Sequence, residues 1–120
     1  MKKPESKLQA DLFKIAQADP YFRYSIWSTP NGLFLNGNWG VISEMKATGA
    51  VKGVWDLTVQ KNGKLFFIET KIGKNDLTKE QKHFKKVRIE NGVPEDHFFI
   101  YKTLDEGIEM LNKIKSICDN

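Results

Sequence analysis

The chain has one cysteine, Cys118, in 120 residues. No disulfide can close within it, which excludes the stapled scaffolds of small secreted domains and suits a reducing compartment. Only two histidines occur, His83 and His97, and neither stands at zinc-ligand spacing from another His or Cys. Cys118 has no visible His partner in the sequence and reads as inert. No apolar run approaches the roughly 18 residues of a membrane span, and the N-terminal stretch "MKKPESKLQADLF" lacks the apolar core of a signal peptide. A membrane partner is therefore not expected, and the cytoplasm is the expected location. A glycine-rich phosphate loop is also missing, which argues against a nucleotide cofactor or an NTP-driven motor. Repeats, low-complexity tracts and internal linkers are absent, so residues 1–120 read as a single domain.

The chain does have a core's worth of apolar residues: 40% hydrophobic and 12% aromatic, a folded rather than disordered composition. The net charge of +4 is unevenly spread. Between residues 71 and 88 lie seven basic residues (Lys71, Lys74, Lys79, Lys82, Lys85, Lys86, Arg88) and two acidic ones (Asp76, Glu80). This local surplus of five positive charges, against −1 for the rest, fits a polyanionic partner, although solvated basic helices are common.

Periodicity predicts the order helix, strand, helix, strand, strand, helix, strand, helix. Leu8, Leu12, Ile15 and Ala16 repeat at helical spacing from Glu5 to about Gln17. "YSIWST" (Tyr24 to Thr29) is β-rich and ends at the turn signal "PNG". "VISEMKAT" reads as a short helix closed by Gly49. "VWDLTVQ" and "KLFFIETK" read as strands joined by Asn62-Gly63, the strongest short hairpin signal. Thr78 with Gln81 three residues on is a capping box opening a helix to about Glu90. "HFFIYK" is a further strand, and a last helix carries Leu104, Ile108, Leu111 and Ile114. Helices packed on a small mixed sheet make an α/β single domain.

The hairpin sets a register. With a two-residue loop, Lys61 faces Lys64, and the pairing then runs through Leu57–Ile68 to Asp56–Glu69. Opposed side chains share a face, and the period of two puts Lys71 there as well. Two carboxylates are thus set against each other, which destabilises a sheet unless something offsets the repulsion. A raised pKa on one acid would do so, as would Lys71; a divalent cation does it best. Hard cations such as Mg²⁺ take one or two carboxylates plus water and phosphate oxygens, and in such a site they activate water and stabilise charge on phosphate. "ETK" alone is more often a solvated ion pair. Asp56 in register across the hairpin, among Phe66, Phe67, Ile68, Leu57 and Val59, turns the balance, because unpaired acids in central strands are costly. By the same alternation Trp55 is expected on the opposite face from the acids, as a core anchor.

This arrangement resembles the PD-(D/E)XK nuclease superfamily, with Asp on one strand and (Glu/Asp)-x-Lys on the next, and more narrowly its VRR-NUC branch, including phage-type members. The resemblance runs from "ESKLQ" through "STPNG" and "MKATGAVKGVWDL" to "FFIETKIGKNDLTKEQKHF", in order and spacing. It departs at Trp55, where the family usually keeps a proline that is not a ligand; the local backbone shape is what this departure affects. The resemblance implies a restriction-endonuclease-like core with Mg²⁺ or Mn²⁺ as cofactor. Asp56 and Glu69 would bind the metal, the Thr70 carbonyl would complete the shell, and Lys71 would assist the attacking water. Gln81 would help organise the site, a role that stands beside its capping-box reading. Glu5 matches a first-helix acid that adds to the metal site in related junction-resolving nucleases; a carboxylate favoured by the helix dipole is its ordinary reading. Asn31 and Lys46 fall in segments typical of phage-type members, where Lys46 could meet a phosphate, although an exposed helix lysine is the default. Lys74, Lys82, Lys85 and Arg88 would engage the DNA backbone.

The expected function is divalent-metal-dependent hydrolysis of phosphodiester bonds in DNA by a nuclease of a bacterial or phage-infected cell. With little room for a specificity domain, recognition of branched DNA such as a Holliday junction is expected, by a homodimer because a junction offers two equivalent cleavage sites. The alternatives are a phage- or restriction-type nuclease on duplex DNA and a non-catalytic nucleic-acid-binding module on the same fold.

Overall fold

In the computed structural model, residues 3–29, 43, 44, 47, 49 and 51–119 are described. Among the described residues, the elements described from end to end are α1 (Lys3–Ala18), β1 (Ile26–Ser28), β2 (Leu57–Lys61), β3 (Lys64–Thr70), α2 (Lys79–Glu90), β4 (Phe98–Tyr101) and α3 (Leu104–Cys118), with a 3₁₀ turn at Glu95–His97. The four strands form one mixed sheet in the order β1-β2-β3-β4. The first three are antiparallel to their neighbours, whereas β3 and β4 run parallel, and α2 supplies the crossover that a parallel pair requires. The expected α/β core of a small mixed sheet flanked by helices is the observed one.

The hairpin has the expected register. Lys61 pairs with Lys64 and the ladder runs to Leu57–Ile68. Asn62 and Gly63 both take positive φ, 53° and 77°, as a type I′ turn requires. The sheet's two faces bury separate clusters. Leu57, Val59, Phe66 and Ile68 meet α1 and α3 through Leu12, Ala16, Met110, Leu111 and Ile114. On the other face Phe67 packs with Trp55 and Phe84 of α2; its ring stands edge-on to Phe84 at 5.3 Å and stacks on Phe98 at 5.4 Å. This is a three-layer arrangement in which each face of the sheet buries its apolar stripe against helices.

Several expectations shift at their edges. The first strand is shorter than 24–29, because Ser25 N–H turns back to Phe22 O at 2.9 Å. Residues 54–56 precede β2 rather than forming it. Gly53, at φ 82°, turns this segment onto α2: a Cβ there would stand 2.2 Å from Glu80 O. His97 lies in the 3₁₀ turn, where it stacks on Phe66 and its Nδ1 donates to Leu65 O at 2.8 Å. Leu12, Ala16, Leu111 and Ile114 are buried as expected, but Ile15 and Ile108, expected on the same faces, are 37% and 38% exposed, and Met110 is buried beside Leu111. Ser43, Glu44 and Ala47 are helical and Gly49 has a φ of 113°. Asn31, Lys46 and the "PNG" turn lie outside the described residues. Among the described residues no helix is long and apolar enough to cross a membrane.

Candidate active site

The ladder of β2 and β3 stops one pair short of the acids, and the acids finish it with their side chains. Asp56 N–H donates to Glu69 Oε1 at 3.0 Å, and Thr70 N–H donates to Asp56 Oδ2 at 3.0 Å. Asp56 O in turn accepts from Thr29 N–H at 3.0 Å, which ties this corner to the β1 side. Each carboxylate thereby satisfies a main-chain donor of the neighbouring strand, a charge-assisted bond stronger than its neutral counterpart. Both acids are 3% exposed, so they face each other out of water, as the register implies.

Lys71 follows β3. Its N–H donates to Tyr101 O at 3.1 Å, and its ammonium lies 3.4 Å from Glu69 Oε2. Gln81 reaches the same oxygen from α2, with Nε2 donating at 2.6 Å. Both readings of Gln81 hold together. Thr78 Oγ1 accepts from Gln81 N–H at 3.1 Å, and Gln81 Oε1 accepts from Thr78 N–H at 2.8 Å, a complete capping box. Because that N–H claims the amide oxygen, the amide nitrogen is left facing Glu69.

Burial dominates the electrostatics. It raises the Asp56 carboxyl above its ordinary value, opposed by the Thr70 N–H bond and the Lys71 charge; the charge of Glu5 adds to the rise. Burial and the charge of Asp56 push Glu69 up to about 7, against the Asp56 N–H, Lys71 and Gln81. The effect runs one way: the charge of Asp56 disfavours ionisation of Glu69, whereas the Glu69 side chain, through a hydrogen bond, favours ionisation of Asp56.

The donor set suits a hard divalent cation. It is all oxygen, and the charge of Asp56 adds to the burial that raises Glu69. Among the described residues no group of three or more His, Cys, Asp and Glu side chains is placed to hold a metal ion. Two facing carboxylates match the mode in which Mg²⁺ takes one or two carboxylates and water and phosphate supply the remaining ligands. Glu5 is accordingly not gathered into a three-acid cluster. Its Oε1 accepts from Asn75 Nδ2 at 3.5 Å, and it acts on Asp56 through its charge. Thr70 is buried, its hydroxyl donating to Tyr101 OH at 2.7 Å.

The cations of the 71–88 stretch differ in their availability. Lys74 and Lys82 are exposed. Lys85 is paired with Glu95 at 2.8 Å and lies over the Phe98 ring, while the Arg88 guanidinium stacks on Phe84 at 5.2 Å. Lys85 thus links α2 to the residues around β4, whereas Arg88 packs along α2 itself. The exposed face of α2 instead carries Lys79, Lys82 and Lys86, spaced three and four apart and so in one row.

No protein-family model matches the chain, and no curated protein matches it. A solved structure of a VRR_NUC domain protein superposes on it with a TM-score of 0.70, covering 94% of this chain and 88% of its own, at 19% identity. The fold is that of a VRR-NUC domain. In that fold the restriction-endonuclease-like sheet brings Asp56, Glu69 and Lys71 to one corner and sets α2 across them. Reading the residues alone missed two partners of that corner. Trp55 donates its indole N–H to Gln81 O at 3.1 Å, and Tyr101 supports Thr70 from the parallel strand. Neither bond has a local signal, because each joins residues 26 or 31 positions apart.

Proposed function

We propose that this chain is a divalent-metal-dependent endonuclease that hydrolyses phosphodiester bonds in DNA. The observation that carries the proposal is the buried Asp56–Glu69 pair with the Lys71 ammonium 3.4 Å from Glu69 Oε2, set on a VRR-NUC fold. Asp56, Glu69 and the Thr70 carbonyl would hold Mg²⁺ or Mn²⁺. The ion, when bound, supplies a water of lowered pKa and charge stabilisation at the phosphate.

The chain's own residues do the rest. The Lys71 ammonium, held beside Glu69, offsets negative charge that builds on the phosphate during attack. The Gln81 amide keeps Glu69 Oε2 in one orientation and, being neutral, leaves the carboxylate's charge available. The row Lys79, Lys82 and Lys86, with Lys74, contacts the DNA backbone, which positions a duplex without reading its sequence. Branched DNA is the proposed substrate, cut by a symmetric homodimer that meets a junction's two equivalent strands.

A cleavage panel tests this reading: linear, flapped and four-way DNA, each with Mg²⁺, Mn²⁺ or chelator. Metal-dependent cutting with preference for branched DNA is expected. Absence of cutting with either metal on every substrate would overturn the nuclease reading.

A further inference from the structure

Trp55 stands directly before Asp56. The sheet's alternation would send it to the face away from the acids. Instead it lies with Phe67 and Phe84, on the acid side. The chain bends at Asp56, and that bend breaks the alternation. The indole is 1% exposed, meets Phe98 edge-on at 5.2 Å, and donates to Gln81 O at 3.1 Å. Two residues earlier, Gly53 abuts the main chain of Glu80 and Gln81 so closely that no Cβ fits. The segment that delivers Asp56 is therefore fastened to the first turn of α2, and that turn delivers Gln81 to Glu69.

We infer that Trp55 is a positioning residue of this site: its indole N–H sets the depth of the first turn of α2, and thereby the Gln81 amide on Glu69 Oε2. The capping box fixes which way the Gln81 amide faces, but it does not fix where the turn sits relative to the sheet, since Thr78 and Gln81 move together. The Gly53 approach and the Trp55 bond both cross from the 53–55 segment to the turn. Of these, only the indole N–H is directional. A 2.6 Å bond from Gln81 to Glu69 is short for N–H···O and is sensitive to small shifts of the turn. Through its neighbour in sequence, Trp55 also links the two acids: it precedes Asp56 and holds the helix turn that orients Glu69.

The inference rests on the nuclease reading for its kinetic consequence but not for its structural one, and the test separates them. Trp55→Phe keeps an aromatic ring against Phe67, Phe84 and Phe98 and removes the donor together with part of the indole's volume. In metal-free protein, the side-chain amide NMR signals of Gln81 are expected to shift in Trp55→Phe, which keeps a cooperative melting transition lowered by the smaller ring. With metal and four-way DNA, kcat is expected to fall about three- to tenfold with KM unchanged, as for loss of one neutral hydrogen bond acting on the transition state. In Gln81→Ala the same Trp55 substitution should cost nothing further, because residues acting through one another are not additive. Unchanged Gln81 signals in Trp55→Phe would overturn the proposal, and so would a Trp55 effect that multiplies with that of Gln81→Ala. A wild-type protein that cuts no DNA removes the nuclease reading and leaves the amide signals to decide the tether. A Trp55→Phe protein that loses its fold is replaced by Trp55→His, whose Nε2 can restore a donor. Shifted Gln81 signals in Trp55→Leu with wild-type-like signals in Trp55→His support the tether, and equal shifts in both overturn it.

Discussion

Gln81 donates to Glu69 Oε2 at 2.6 Å with the nitrogen of an amide whose oxygen accepts the Thr78 N–H at 2.8 Å. One side chain therefore starts a helix and orients a buried acid, and the two tasks can be separated by changing one atom. Gln81→Glu keeps the cap, since Glu serves a capping box as well as Gln does, but sets a carboxylate against Glu69. Stability should stay within about 0.5 kcal/mol of wild type at acidic pH, and DNA cleavage should fall by about tenfold or more. Denaturant titration and cleavage kinetics measure the two halves.

Removing the acids or the ammonium should stop the chemistry and spare the binding. Glu69→Ala and Lys71→Ala are each expected to lower cleavage by at least about 10²-fold, the scale for losing a preorganised charge at a reacting centre. Gel-shift affinity for the same DNA should change little. Wild-type cleavage rates in Lys71→Ala would sink the proposed role of that residue.

The raised Glu69 predicts a pH signature. In the unfolded chain its pKa is near 4.5, and in the folded protein it is pushed to about 7. Between these values the folded state holds the proton more tightly, so Glu69's contribution to stability is fully present below about pH 4.5 and is lost as the pH rises through about 7. In chelator, the melting temperature should fall from pH 5 to pH 8, and less so in Glu69→Ala. Mg²⁺ competes with the proton for the carboxylate pair, so its stabilising shift should be larger at pH 8 than at pH 6. Equal Mg²⁺ shifts at both values would contradict the metal assignment.

Gly53 is expected to be irreplaceable. It combines a φ of 82° with a Cβ position 2.2 Å from Glu80 O. Gly53→Ala should cost about 2–4 kcal/mol, from left-handed strain plus overlap with main chain that cannot yield. Gly63, at φ 77° with nothing within 4 Å of its Cβ position, should cost only about 1–2 kcal/mol on the same substitution. Paired urea titrations give the contrast.

The exposed row of α2 predicts which cations matter for DNA. Lys82→Gln and Lys86→Gln should each weaken binding and reduce the slope of log affinity against log salt by about 0.9 if each neutralises one phosphate. Lys85→Gln should leave the slope nearly unchanged, because Lys85 is held by Glu95. A fluorescence-anisotropy salt series distinguishes the three.

Residues 57–70 determined their own pairing. Asn62 and Gly63 accept positive φ, the turn they make has two residues, and a period of two then fixes each partner along the strands, so the facing of Asp56 and Glu69 was legible from local chemistry alone. The capping box at Thr78 was legible for the same reason, since its partners lie three residues apart. What the tertiary structure decided lies between distant segments. The turn at Gly53 carries Trp55 to the acid side, against the alternation that would send it away, because the close approach to Glu80 and the indole bond to Gln81 outweigh strand geometry. Ring and ion-pair contacts likewise engaged Lys85 and Arg88 and left Lys79, Lys82 and Lys86 to solvent, a choice set by which helix face meets Phe67 and Phe98. Charge and spacing are properties of the chain; burial, which lifts Glu69 to about 7, belongs only to the folded molecule.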